Sequence, residues 1–380
     1  MTLPARAMSF VLGSLLVVGL VAAACEDDRE EAPPAATGSS AVAGSPDASA
    51  EPTIAVSYAP AGPTTFAVIA GTSEGNKDIE AFMPADVRVR AGDSIEWTAK
   101  GFEGHTISFG DDDDVLGAIG EFLVPDPANP TQRIFNPEIA LRSAKQSTHD
   151  GDGAFINSGF IGVPVEQKYS LSFTKPGLYT YLCLVHPFTM TGTVSVEEAG
   201  AQVESQQTVS ARGAADIARY TAELDAEARR LASEARTATG PAGATIHFVQ
   251  VGAITDHGQV AVYTPGALDI SAGDTVIFEN DDRNFHNVII KGDRAEYPPG
   301  IGIIADPGGR GLNFSLDIAS ALAVDPPPEG FDDKTFLSSG SMGVIQPRLT
   351  WTLRFDKAGT YVYACTIHAL AGMTGLINVQ

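Results

Sequence analysis

The chain has 380 residues, with 24 Lys and Arg against 47 Asp and Glu, a formal charge of −23, and 44% hydrophobic residues. That length suits two domains, each able to bury its own core. The acidity, with no Lys/Arg-rich run, makes nucleic acid and anionic membrane surfaces poor partners and favours basic ones. Only three cysteines occur, Cys25, Cys183 and Cys365, too few and too far apart for a disulfide framework.

Residues 1–24 read as a signal peptide. Arg6 precedes an uncharged, mostly apolar run from Met8 to Ala24, short for a membrane span and right for secretion. Val21-Ala22-Ala23-Ala24-Cys25 resembles the lipobox of bacterial lipoproteins, which implies lipidation of Cys25 and attachment to the membrane. Ala22 stands where that motif usually has Leu; plain cleavage would cut the same bond and leave Cys25 unmodified. Export to the cell envelope, periplasmic or on the outer face, follows either way. Residues 25–63 are acidic, then rich in Ala, Pro, Ser and Gly, and read as a flexible tether.

A repeat follows, with a first domain at 64–197 and a second at 244–380. Phe82-Met-Pro-Ala-Asp-Val-Arg-Val-Arg-Ala-Gly-Asp93 matches Tyr263-Thr-Pro-Gly-Ala-Leu-Asp-Ile-Ser-Ala-Gly-Asp274, and Phe155–Gly162 matches Phe336–Gly343. Short alternating strands such as Asp86–Arg90, Tyr169–Phe173, Thr191–Val196 and Leu349–Phe355, bounded by Gly, Pro and Asp turns, predict an all-β antiparallel sandwich in each copy. About fifty residues after the first histidine of each copy resist that reading, with short helices expected near Leu116–Phe122 and Leu316–Ala323. Between the copies, 198–243 reads as a helical linker: Ser210–Thr237 places Ile217, Tyr220, Leu224 and Leu231 on one side, and Gly240-Pro241 stops it. Such a helix is either a spacer or a strut against both sandwiches.

Chemistry concentrates in two stretches, Tyr181-Leu-Cys-Leu-Val-His-Pro-Phe-Thr-Met190 and Tyr363-Ala-Cys-Thr-Ile-His-Ala-Leu-Ala-Gly-Met373. Each offers a thiolate, an imidazole and a thioether, the ligand types preferred by an ion cycling between Cu(I) and Cu(II). A His₂Cys site with a weak axial Met needs a second imidazole. His105 and His286 stand 78 and 79 residues before Cys183 and Cys365, in near-constant register with the repeat. Singly these residues would be core filler; four types in order, twice, point to two coppers per chain, and the methionines argue against structural zinc.

From Gly177-Leu-Tyr-Thr-Tyr-Leu-Cys183 to Thr191-Gly192, and from Gly359-Thr-Tyr-Val-Tyr-Ala-Cys365 to Thr374-Gly375, the chain resembles the plastocyanin/azurin family of blue-copper cupredoxins. That resemblance implies two tandem Greek-key sandwiches with a type 1 copper at one end of each. By position it implies His105, Cys183, His186 and Met190 as ligands of the first copper, and His286, Cys365, His368 and Met373 as ligands of the second. The first loop is one residue shorter between His and Met, which puts its axial bond in question. In the family an Asn often follows the first histidine and ties the ligand loops: Asn287 fits and Thr106 does not, so a looser first site is expected. The loop histidine of the family usually reaches the surface through an apolar patch; Pro187-Phe188 and Ala369-Leu370 supply either that patch or ordinary loop packing.

The resulting expectation is an electron-transfer protein that exchanges electrons with redox partners near the membrane. A copper oxidase or nitrite reductase would need a further site built from His-x-His pairs; none occurs, so no catalysis is expected. Copper delivery, or one copy kept only as a docking module, are the alternatives. His149, His247 and His257 have no repeat partner. His149, in Thr-His-Asp-Gly-Asp-Gly153, reads as part of a solvated turn, and Asp111–Asp114 as a solvated acidic loop.

Overall fold

A computed structural model describes residues 54–111, 123–137, 141, 147–162, 168–187, 189–280, 286–305, 312–343 and 349–380. The leader, Cys25, most of the tether, residues 112–114, Phe188 and the helix expected at 116–122 lie outside the described residues. Elsewhere the chain is mostly strand, with one long helix between two sandwich-like copies.

The alternating strands behave as their pattern dictates. Along Ser94–Lys100 every second side chain is buried, and the same holds for Thr191–Glu197. The first core joins Phe66, Val68, Ile95, Trp97, Leu171 and Phe173 of one sheet to Val87, Val89, Tyr181, Val194 and Val196 of the other. The second core repeats the arrangement around Val249, Phe278, Trp351, Leu353, Tyr363 and Ile377. The sheets are mixed rather than antiparallel: Thr65–Ile69 runs parallel to Ser94–Thr98, and Asp86–Arg90 parallel to Thr193–Glu197, with the counterparts in copy two also parallel. A crossing connection, rather than a hairpin, brings these pairs together. The repeated Gly-Asp turns clamp the entering strands. Asp93 accepts from the Thr64 and Arg90 amides (2.7 and 2.8 Å), and Asp274 from those of Thr245 and Ser271 (2.7 and 3.0 Å).

The two copies share sheets. Lys77–Met83 pairs antiparallel with Gly258–Thr264 through Ile79↔Gly258, Asp78↔Gln259 and Lys77↔Val260, fusing one sheet of each copy into a single ladder. Residue 78 corresponds to residue 259 at the repeat offset of 181, so this pairing maps onto itself when the copies are exchanged, as an isologous two-fold contact does. The stretch that the sequence left unreadable does the same. The Leu123–Pro125/Gln132–Phe135 hairpin meets the Ile301–Ala305/Leu312–Asp317 hairpin through Ile134↔Ser315, again offset by 181. Where helix was expected near Leu316–Ala323, only Ile318–Ala321 is helical, because the preceding residues are taken into this shared sheet. Phe135, Phe160 and Phe314 close over it, the last two with ring centroids 4.5 Å apart.

The long helix runs Gln206–Ser233, about 42 Å at 1.5 Å per residue. It starts four residues earlier than expected because Ser205 caps it, its hydroxyl accepting from the Thr208 amide. It ends four residues earlier because Arg236–Thr239, with two β-branched threonines, forms an edge strand on Thr245–Phe248. Tyr220, Leu224 and Leu231 pack against Ile79, Ala81 and Met83 of copy one and Ala253 and Val260 of copy two, making the helix a strut.

Candidate metal centres

Each ligand loop is shaped by its flanking strands. Gly177–Leu182 and Thr191–Glu197 pair so that Tyr181 faces Gly192, and Gly359–Ala364 and Thr374–Val379 so that Tyr363 faces Gly375. A Cβ at 192 or 375 would lie 2.4 or 2.2 Å from the tyrosine ring, which is why the strand after each methionine opens on Thr-Gly. The strand pair closes through Cys183 N–H to Met190 O (2.9 Å) and Cys365 N–H to Met373 O (3.0 Å), returning each methionine to its cysteine. The upstream histidines are fixed by backbone bridges, His105 to Ile161 and His286 to Met342.

The loops bring His105, Cys183 and His186 together, and His286, Cys365 and His368, with the ligand atoms of each group within 4.8 Å of one another and all six residues buried. Cys183 Sγ lies 4.0 Å from His105 Nδ1 and 3.8 Å from His186 Nδ1; Cys365 Sγ lies 3.5 Å from His368 Nδ1. Met190 and Met373 are buried in the same cores as their cysteines. The donor set of thiolate, two imidazoles and a nearby thioether fits a copper ion.

Electrostatics favour the thiolate form of both cysteines and, in the absence of metal, the protonated form of both loop histidines. Burial would push both thiols up, but hydrogen bonding to His105 and His186 holds Cys183 well below the usual thiol value, and His286 and His368 bring Cys365 down to about 5. Burial works against protonation of His186, yet Glu80 and the Cys183 thiolate carry it up to about 10. His368 is likewise raised against its burial, chiefly by Glu103. Thiolates already paired with protons on imidazole are groups that a metal cation can take over by displacing those protons.

Both loops are tied to the upstream histidine strand. Asn287 Oδ1 accepts from the Thr366 amide (2.9 Å) and its Nδ2 donates to Thr366 Oγ1 and Ser320 O (both 3.0 Å). Thr106 makes a shorter version of this tie, its hydroxyl accepting from the Leu184 amide at 2.8 Å. The amides of Thr106 and Asn287 also point at the cysteine sulfurs, at 3.3 and 3.5 Å. The first site therefore has one side-chain bond to its ligand loop where the second has two.

The loop histidines do not reach the surface. His186 is 7% exposed and His368 3%, while Leu370 beside the latter is 74% exposed. His368 Nε2 lies 3.2 Å from Glu103 Oε1, contributed by the other copy, and His186 Nε2 lies 3.8 Å from Glu80 Oε1 of its own copy. Asp78 completes a group of three carboxylates, its own held well above the usual range by burial and by repulsion from Glu103 and Glu80. Nothing in the sequence pattern marked these acids. Between the ligand loops lies a cavity of about 410 Å³ walled by Phe102, Phe135, Phe160, Val185, Phe314 and Ile367. His149 is not in a solvated turn but buried, 4.5 Å from the Tyr179 ring and 5.1 Å from that of Phe109. His257 stacks on Tyr220 and lies 2.9 Å from Glu223, and His247 lies 3.4 Å from Asp274.

A β-sandwich that buries His₂Cys beneath a methionine loop defines a mononuclear copper-binding class of protein, here present twice. The model of copper binding proteins of the plastocyanin/azurin family matches residues 69–197 and 249–380, and the chain belongs to that family. Plastocyanin from Vicia faba is 26% identical over 118 residues, 31% of this chain and 87% of the relative, and plastocyanin from Scenedesmus fuscus is 30% identical over 119 residues, with the same shares. Among solved structures, a Cu(I) mutant of amicyanin aligns at 19% identity and a TM-score of 0.21, covering 36% of this chain and 82% of its own. A mutant fern plastocyanin aligns at 21% identity and a TM-score of 0.19, covering 35% and 99%.

Proposed function

We propose that the chain is an electron-transfer protein with two mononuclear type 1 copper centres, held by His105, Cys183, His186 and Met190 and by His286, Cys365, His368 and Met373. The observation that carries this reading is the pair of buried His-Cys-His groups, each backed by a methionine on the same loop. Copper bound there supplies one-electron chemistry. The chain's own residues hold the thiolates deprotonated, fix the imidazoles through strand bridges and loop ties, and exclude water from the ligands. A rigid, pre-formed site keeps geometry constant between oxidation states, which favours rapid transfer.

The protein works with redox partners rather than as an enzyme on its own. This reading is supported by the sequence, which holds no His-x-His pair of the kind oxidases use to build a further copper site. Partners dock on apolar surface such as that around Leu370, since the imidazole edges are covered. The N-terminal signal, lipidated at Cys25, places the protein in the cell envelope. Among the described residues no helix is long and apolar enough to cross a membrane.

Copper content and the visible spectrum of the oxidised, leaderless chain test this reading. Two coppers per chain are expected, with intense thiolate-to-copper charge transfer of which Cys183→Ser and Cys365→Ser each remove one part. Absence of that band would overturn the electron-transfer reading, and one copper per chain would reduce it to a single centre.

A further inference from the structure

We propose that Glu103, on the first copy, is a positioning residue for the copper site of the second copy, so that the second site is completed only across the boundary between the two. This rests on His368 being a copper ligand. Within copy two, His368 turns Nδ1 toward Cys365 Sγ at 3.5 Å, and its Nε2 meets Glu103 Oε1 at 3.2 Å. A ligand imidazole bound through Nδ1 carries its proton on Nε2. A carboxylate accepting that proton's hydrogen bond fixes the tautomer and the ring plane and makes the imidazole a stronger donor to the metal.

The contact is not a surface accident. His368 is 3% exposed, the Glu103 side chain 13%, and the shared sheets hold the two copies in one register. It is also one-sided. At the repeat offset of 181, Asp78 and Glu80 correspond to Gln259 and Ala261, and Glu103 to Asn284 in the sequence. All three acids beside the histidine edges thus come from copy one. Gln259 stands 3.4 Å from His368 Nε2, and its buried Oε1 has no hydrogen-bond partner as the amide is oriented. Turning that amide over would offer His368 a second, neutral acceptor. It would not replace the charge of Glu103. The first site differs: its loop histidine faces Glu80 of its own copy, across a longer 3.8 Å. A duplicated chain has therefore made its second site dependent on its first domain while leaving the first site self-contained.

The test uses the full leaderless chain in a Cys183→Ser background, so that only the second site gives a charge-transfer band. Glu103→Ala and Glu103→Gln are compared with intact Glu103 for copper affinity by chelator competition, reduction potential, and thermal midpoint of the metal-free protein. Glu103→Ala is expected to weaken copper binding roughly tenfold to a hundredfold and to raise the potential, because a negative acceptor that stabilises the more highly charged ion is gone. Glu103→Gln, which keeps size and an acceptor oxygen but not the charge, should recover part of the affinity. A Cys365→Ser background should show a much smaller effect on the first site, although Glu103 is only two residues from His105. Unchanged affinity and potential at the second site, or a larger effect at the first, would overturn the proposal. If the Cys183→Ser chain with Glu103 intact binds no copper, the ligand reading of His368 fails, and this inference with it.

Discussion

Gly71 shows how close the packing is around a ligand. Its φ is +75°, and a Cβ built there would lie 2.1 Å from His105 Nε2, so the bare glycine is what lets the imidazole approach the strand this closely. Gly71→Ala is expected to displace His105 and abolish copper at the first site while the second keeps its band, giving half the wild-type copper content. Asp78 makes a different prediction. Its Oδ1 accepts from Ser73, its Oδ2 has no partner, and burial holds its carboxyl well above the usual range. A group whose folded value is raised contributes stability below its unfolded value of about 3.9 and loses it as pH climbs toward the folded value. Denaturation of the metal-free chain should therefore show stability declining as pH rises above about 4, and Asp78→Asn should flatten that decline. An equally steep decline in the variant would count against the assignment. The two buried His-Cys-His groups were legible because Cys, His and Met recur in order and at fixed spacing, whereas Asp78, Glu80 and Glu103 were not. Their roles depend on neighbours from distant sequence, and acids on a loop or strand ordinarily face solvent.

The helix shows what periodicity reads well and what it reads poorly. The stripe of Ile217, Tyr220, Leu224 and Leu231 predicted one buried side, and those residues pack as predicted. The ends moved by four residues each, because a serine cap and a strand pairing, both local competitions, decide where a helix stops. What no stripe could say is that the buried side touches both copies at once. Leu224 sits 1% exposed among Ile79, Ala81, Ala253 and Val260. Leu224→Ala should cost about 2–5 kcal/mol, read from chemical denaturation. Because the cavity it leaves borders both copies, a single transition should shift as a whole. Two separated transitions, with only one of them moved, would show that the strut does not couple the copies.

At the scale of the molecule the duplication has become an internal dimer. Strands 77–83 and 258–264 meet edge to edge, the hairpins at 123–135 and 301–317 meet likewise, and both contacts are self-complementary under exchange of the copies. Self-complementary edges, once exposed, are templates for pairing with another chain. Residues 244–380, produced alone, contain every residue of the core around Phe278, Trp351 and Tyr363 and would leave the Gly258–Thr264 edge and the Leu312–Asp317 strand without their copy-one partners. That fragment should form a concentration-dependent dimer in sedimentation velocity, with two second copies taking the places of first and second. The residue of the second copy that corresponds in sequence to Glu103 is Asn284, which carries no carboxylate. The dimer should thus rebuild the shared sheets without rebuilding the carboxylate contact on His368. A fragment that stays monomeric across the accessible concentration range would show that the pairing needs what differs between the copies, and the long helix, which the fragment lacks, would then be the element that holds them together.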